Sequence, residues 1–442
     1  MTTASPSKAS HFLQPTRQQA LFAFIVLLTI NILNYMDRTI LPAVLSSLNQ
    51  DFHLDDTQSG LLGSSFLIIY GIATLPLGIW ADRSVRKNIV GLCVGLWSVA
   101  TSLAGFTQNF IQLFITRAFL GVGEAGYAPA SLSMIGDFFP KGQRGRILSL
   151  WSVSNLFGTA LGLAVGGVVA HYLNWRWAFY IVGIPGLIMA FLIWRAHEPQ
   201  RGAFDHEGSG DDSAATAGHG NLLSKDFLVQ VGQIFRIPTY WILLAAFIFS
   251  FFIVGAAQFW IPNYFERAFH LDSGQAGPLA GGVLAGGALV GTLIGGWLAD
   301  MLQKRVPQGR MLISTLAFLV GAPLTALALA MQELIPFICV FIVAIICLSM
   351  CLGPINAILQ DIIAPGLRAT GVGLALLLAH LLGDASSPTI IGAISNSTSL
   401  GFALLITAPT CLLLAGLICL IGLKTVARDM ARMQESLQRS PE

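Results

Sequence analysis

The chain is short of charge: Asp, Glu, Lys and Arg make up 10% of its 442 residues, while apolar side chains make up 55%. A soluble domain carries about 25% charged residues, and no aqueous fold of this length hides so much apolar surface. Lipid is therefore part of its solvent. The six cysteines (Cys93, Cys339, Cys347, Cys351, Cys411, Cys419) all fall in apolar runs, which excludes an extracellular disulfide framework or a CxxC metal site. No GxxxxGK[ST] loop is present, so the chain does not itself drive transport with ATP. Neither HExxH, a zinc-ligand cluster nor a Ser-His-Asp pattern is placed for an intramembrane enzyme, so no catalytic residue, metal or cofactor is expected. Basic residues are too few and too scattered for a nucleic-acid partner. One GxGxxG match, Gly121 to Gly126, lies inside an apolar run rather than after a strand, and so does not indicate a nucleotide. Residues 1–20 lack the short apolar core and cleavage site of a signal peptide, leaving the first apolar run to direct insertion.

What is present is length in apolar runs. Crossing the hydrocarbon takes about 20 residues per helix, and the mean hydropathy of +0.72 reflects twelve such runs. They fall near 21–48, 58–81, 89–107, 109–138, 146–171, 174–196, 239–267, 275–302, 310–331, 333–359, 369–397 and 399–424. The fold class expected is an all-α integral membrane protein of twelve transmembrane helices. Basic residues near span ends stay cytoplasmic. With both termini inside, twenty of the 24 Lys and Arg are cytoplasmic, Arg176 and Arg267 lie at outer edges, and Arg38 and Arg117 lie within spans. The compact, nearly loopless layout points to the cell (inner) membrane. Trp175 and Trp177, near a span end, are expected in the interfacial belt.

The longest polar stretch divides the spans six and six. Its centre, His206 to Gly220, is too poor in apolar residues to form a core. The expected organisation is a polar tail over 1–20, a first bundle over 21–196, a cytoplasmic linker over 197–238, a second bundle over 239–424 and a cytoplasmic tail over 425–442. Gly78-Ile-Trp-Ala-Asp82-Arg-Ser-Val-Arg86-Lys87 recurs as Gly296-Trp-Leu-Ala-Asp300-Met-Leu-Gln-Lys304-Arg305, at an offset of 218. Asp137, Gly142 and Arg144 recur as Asp361, Gly366 and Arg368, at an offset of 224. Two related halves around a midplane site are what alternating access requires. Glycines at spacing four, Gly158, Gly162 and Gly166, then Gly287, Gly291 and Gly295, make smooth faces for close helix approach. Such faces are also candidates for sliding during transport.

The GxxADRxxRK loop from Gly78 to Lys87, with its weaker second copy, resembles the loop signature of the major facilitator superfamily. Asn34-Tyr-Met-Asp37-Arg38, Thr116-Arg117-Ala-Phe-Leu-Gly121-Val-Gly123-Glu124-Ala125 and His380-Leu-Leu-Gly-Asp384-Ala-Ser-Ser-Pro388 together resemble its Spinster branch. The resemblance implies two pseudo-symmetric six-helix bundles and a proton-linked carrier of lysolipids or sphingoid lipids. A neighbouring branch of organic-anion and proton symporters, such as sugar-acid carriers, shares the Asp-Arg pair and the fourth-span Glu. That leaves a small-anion symporter as the alternative. The fifth span lacks the Gly-Pro pair of the superfamily's antiporter motif, so antiport is not assigned.

Charges kept within spans cost at least about 2.5–3.5 kcal/mol each, and they usually face a cavity and pair. Arg117 and Glu124, seven residues apart, share a helical face. If Arg38 faces Glu124, the carboxylate is ionised while paired and takes a proton when Arg38 engages an anionic substrate. Glu124 is thus the expected proton carrier, with Asp37 second. Arg38, Tyr127, His380 and Asp384 are expected substrate contacts, and Arg117 a tuning or structural charge. A guanidinium fork matches phosphate or carboxylate. Asp82, Arg83, Arg86, Arg144 and the repeat's Asp300 are expected at a cytoplasmic gate, with Asp82 facing Arg83, Arg86 or Arg144. Tyr70, Asn155, Gln258, Trp260, Asn356 and Gln360 are further cavity-lining candidates. The partners implied are protons, an anionic lysolipid or organic anion, and the bilayer. Without a large extramembrane domain, a monomer is expected.

Overall fold

In an apolar solvent every backbone N–H and C=O must be satisfied within its own segment, which leaves the helix as the form these runs can take. A computed structural model describes residues 15–204 and 232–439, apart from the side chains of Asp82, Ala369, Ser436 and Arg439. The tail through residue 14 and the linker centre, 205–231, lie outside the described residues.

The first half comprises α1 (Arg17–Ala43), α2 (Leu45–Phe52), α3 (Asp56–Arg83), α4 (Arg86–Ala104), α5 (Phe110–Ala125), α6 (Tyr127–Phe138), α7 (Lys141–Tyr172) and α8 (Trp175–Arg195). The second comprises α9 (Pro238–Phe269), α10 (Ser273–Gln303), α11 (Gly309–Leu329), α12 (Leu334–Ile362), α13 (Arg368–Ala379), α14 (Ser387–Ser397) and α15 (Leu400–Gly422). A final amphipathic helix, α16 (Val426–Arg439), follows and packs on α12 and α9. Eleven stretches are long and apolar enough to cross a membrane. The remaining crossing, fourth in order, is divided at Gly126 into α5 and α6, of 16 and 12 residues. Twelve crossings result. Asp55, Asn109, Asn174, Asp272 and Ser399 each cap a helix with a side-chain oxygen at the same end of the molecule. That end is called the far end here, and the Lys/Arg-rich opposite end the basic end.

Burial divides into three apolar cores. One is shared by both halves at the far end and includes Leu41, Leu48, Trp175, Phe259, Trp260 and Phe337. The other two each belong to one half, around Trp97, Tyr127 and Trp151 in the first and Tyr240, Phe318 and Ile358 in the second. The glycines give the same picture at atomic scale. At the far end a Cβ on Gly60 would lie 2.3 Å from the Pro388 carbonyl oxygen, on Gly392 2.1 Å from that of Asp56, and on Gly277 2.3 Å from that of Leu163. These are backbone contacts between halves. Toward the basic end a Cβ on Gly78, Gly145, Gly296, Gly366 or Gly373 would meet nothing within 4 Å. The halves are closed against each other at the far end and parted at the basic end.

The glycine ladders give close helix approach as expected: Gly158 and Gly162 meet Ile32 and Met36 of α1, while Gly291 and Gly295 meet Ile346 and Met350 of α12. They bind each half together, and other glycines, Gly167, Gly277 and Gly281, lie on the α7–α10 contact between halves. One expectation is corrected: Trp175 is not a belt residue. It is 2% exposed, and its indole N–H donates to Asp51 at 2.8 Å. That bond, with Arg176 behind it, holds the Asp51 carboxyl below its ordinary range. Trp177, by contrast, is exposed.

A leucine at Gly277 is expected to wedge α7 from α10 and favour the state open at the far end. A cysteine introduced at Thr57 would then react faster with a membrane-impermeant maleimide. An unchanged rate would mean that this contact does not set the equilibrium.

Candidate functional site

The centre of the first half is built by α1, α3, α4 and α5. Gly121 and Gly123 let α5 seat deeply, since a Cβ on either would stand 2.6 Å from the Phe66 oxygen of α3 or 2.7 Å from the Trp97 nitrogen of α4. The GxGxxG pattern is thus a packing device that brings Arg117 and Glu124 up to α1. Adjacent residues on a helix point about 100° apart, so Asp37 and Arg38 face different neighbours. Asp37 is fully buried, accepts a bond from the Thr101 hydroxyl and lies 3.8 Å from Arg117. Arg38 donates through Nε to Glu124 at 2.8 Å, with side-chain exposures of 19% and 0%. One partner thus reaches the opening while the other is sealed.

The rest of the Arg38 guanidinium is enclosed by rings, with centroids 4.6 Å away at Tyr70, 5.1 Å at Tyr35 and 5.4 Å at Phe66. Phe66 also lies 5.2 Å from Arg117. Ring faces attract a cation without supplying a counter-charge. Among the described residues, Asp37 Oδ1 and Arg117 Nε are buried without a protein hydrogen-bond partner.

In the second half, His380 Nδ1 lies 2.8 Å from Asp384 Oδ2. The two sit on one wide turn closed by Ala385 N to His380 O at 2.9 Å. The His380 ring stands edge-on to Phe251. Tyr127 is not brought to the site. It is 1% exposed, donates to the Leu27 carbonyl at 3.0 Å and packs on Trp97 and Trp151, so it is a core residue. Trp260 is buried likewise, bonded to the Pro388 carbonyl, and Asn155 is held by Asn31 of α1.

At the basic end, Arg86 turns to Asp137, to Glu198 at 2.9 Å and to Ser133 at 3.0 Å. Its repeat counterpart is Arg310, which meets Asp361 at 2.6 Å and Asp300 at 2.9 Å. Arg310 and Asp361 stand 224 residues after Arg86 and Asp137. Each pair joins the start of a third span to the end of a fourth, so these charges brace each half internally. Of these, Glu198 and Arg310 were not singled out by the sequence, although Arg310 follows Arg86 at the same 224-residue offset that links Asp361 to Asp137. Arg83 is exposed, Arg144 donates to the Phe139 carbonyl, and the side chain of Asp82 lies outside the described residues.

The far end carries a latch that no sequence pattern announced. Arg267 of α9 grips Asp56 of α3 with two bonds of 2.7 and 2.6 Å. Asp56 also accepts from Ser395 at 2.5 Å, and its backbone N–H donates to Asn396. Asn263 reaches Ser46 at 2.6 Å. All of these bonds cross between halves.

The sequence profile of the Major Facilitator Superfamily matches residues 27–388. The chain is 30% identical to protein spinster of Drosophila melanogaster over 85% of its own length, spanning 62% of that relative. It is 30% identical to protein spinster homolog 1 of Xenopus tropicalis over 86% of its length and 73% of the relative's. Its fold is similar to that of a bacterial homolog of the human lysosomal transporter Spinster, solved inward-facing and unoccupied. There the TM-score is 0.79 at 23% identity, covering 95% of this chain and 99% of the other. A D-xylose-proton symporter matches with a TM-score of 0.68 at 17% identity, covering 90% and 97%.

Removing one partner of a buried ion pair costs about 3–5 kcal/mol, whereas an exposed pair is worth 1 kcal/mol or less. Arg86 is 2% exposed and Arg310 24% in their side chains. Arg86→Gln is therefore expected to lower the melting temperature of the purified protein several times more than Arg310→Gln. Equal shifts would contradict the ranking by burial.

Proposed function

Because this chain belongs to the Major Facilitator Superfamily and to its Spinster branch, we propose that it is a proton-coupled transporter of an anionic amphiphile. It works by alternating access on a lysolipid or sphingoid-type lipid. That it is a membrane transporter follows from the family; proton and substrate are our reading. The observation that carries it is the Arg38–Glu124 pair, 2.8 Å apart, with the arginine at the opening and the carboxylate sealed.

Asp37, Arg38, Arg117 and Glu124 together sum to no net charge. A headgroup anion that draws Arg38 off leaves Glu124 buried and unpaired, a condition far costlier than taking up a proton. One proton and one negative charge entering together keep the cluster neutral. In this scheme Glu124 carries the proton, Arg38 receives the phosphate or carboxylate, and Arg117 holds Asp37 ready as a second acid. His380 and Asp384 offer a polar contact from the other half. The rings of Tyr35, Phe66 and Tyr70 favour an amphiphile over a small polar anion, since they line the charge with apolar surface.

The excess of Lys and Arg at one end supports a cytoplasmic placement of that end, and in this scheme the conformation described here is inward-facing. Both described ends of the chain, Pro15 and Arg439, lie on that side. The Arg267–Asp56 latch opens and the basic end closes in the opposite state. We take the site to be an inner-membrane one and the working unit to be a monomer.

In liposomes bearing a pH gradient, labelled lysophospholipid is expected to move with wild-type protein. Glu124→Gln is expected to lose proton-driven movement by roughly ten-fold or more while remaining folded, a change of about 1.4 kcal/mol. Arg38→Lys is expected to weaken it too, because an ammonium lacks the planar fork. Unaltered proton dependence in Glu124→Gln would overturn the coupling. Uptake of a sugar acid in place of the lysophospholipid would assign the protein to the organic-anion symporters.

A further inference from the structure

On the outer surface of the first half, at the basic end, α1, α4, the end of α8 and the residues after it border an open pocket of about 520 Å³. Gln18, Gln19, Phe22, Lys87, Arg195 and His197 line it, and none of them belongs to the charged centre. Lys87 gives one Nζ proton to the Ala196 carbonyl at 2.9 Å, which anchors the amine at the rim with two protons to spare. The Arg195 guanidinium lies 4.7 Å over the Phe191 ring and makes no hydrogen bond to protein among the described residues. Glu198, one residue beyond the pocket-lining His197, is turned away to Arg86 and to the backbone N–H groups of Arg86 and Lys87. Among the described residues, the pocket therefore gathers cationic donors without a carboxylate turned toward them.

Its flanks are apolar. Leu21, Phe22 and Ile25 on α1, Leu92 on α4, and Phe191 and Trp194 on α8 are all exposed, between 44% and 62%. In a membrane-spanning bundle such side chains face lipid, and an exposed tryptophan at a helix end marks headgroup depth. Donors for an anion at that depth, above an acyl-facing strip, match one chemistry. Basic pockets between helices at this level take anionic lipid headgroups.

We propose that this pocket binds the phosphate headgroup of an anionic phospholipid from the leaflet at the basic end, with its acyl chains along Phe22, Ile25 and Leu92. The bound lipid bridges α1, α4 and α8 on the face opposite the transport cavity. Zwitterionic phosphatidylcholine, with no net charge to offer, binds more weakly. The inference does not depend on what the cavity carries.

The test uses the full chain in detergent, with bound lipid counted by native mass spectrometry after adding phosphatidylglycerol or phosphatidylcholine. Each basic group near the surface contributes about five-fold in anionic-lipid affinity. Lys87→Gln combined with Arg195→Gln is thus expected to lower phosphatidylglycerol retention by roughly 25-fold, leaving phosphatidylcholine retention unchanged. Arg195→Lys, which keeps the charge, is expected to retain the lipid, as is Arg146→Gln, which removes an exposed charge elsewhere at the same end. Should the double variant fail to fold, Arg195→Gln alone is read for the five-fold loss. Equal losses in Arg146→Gln and the pocket variants would overturn the site in favour of general surface charge. Displacement of the lipid by inorganic phosphate alone would overturn it in favour of a free-anion site.

Discussion

Neutrality of the four charges buried in the first half is the constraint on which this molecule turns. Two carboxylates and two guanidinium groups lie within one apolar bundle, where an unpaired charge is costly. The geometry divides them unequally. Asp37 and Arg117 are sealed and 3.8 Å apart, while Arg38 and Glu124 are in contact with the arginine at the opening. The second pair is the one a ligand can reach.

That local choice gains a mechanical consequence from the way the halves meet. One apolar core passes through both halves at the far end, whereas the cores toward the basic end stop at their own half. The Arg267–Asp56 bonds and the glycine contacts at Gly60, Gly277 and Gly392 hold the far end shut. Meanwhile Arg86 with Asp137 and Arg310 with Asp361 keep each half internally stiff. Stiff halves with one separable seam are what rigid-body rocking needs. A phospholipid held at Lys87 and Arg195 would add a fourth element, fixing the first half against the leaflet on its outer side.

Much of the fold was legible in the chain before any coordinates. A run of about 20 apolar residues can only be a helix where water is absent, so twelve runs meant twelve crossings, and the polar stretch before Pro238 meant two bundles. The one crossing that length alone would miss, α5 with α6, is interrupted at Gly126 yet is apolar apart from Arg117, Glu124 and Asp137. Asp37, Arg38, Arg117 and Glu124 stood out for the same reason, because charge is expensive in lipid and therefore conspicuous there. Tyr127 and Trp175 were misread because an amphipathic ring looks alike at a cavity wall, in a belt and in a core.

By itself, then, the sequence determined what each segment must do with its solvent: which stretches cross, which ends are basic, and which charges are out of place. Tertiary structure alone decided who faces whom. Arg86 chose Asp137 and Glu198, Arg267 reached Asp56 across 211 positions of chain, and the ladder glycines turned inward to their own half. Those choices depend on helix rotation and on approaches of a few ångströms between segments far apart in sequence. Periodicity fixes which residues share a face, but only packing against the other helices fixes where that face looks.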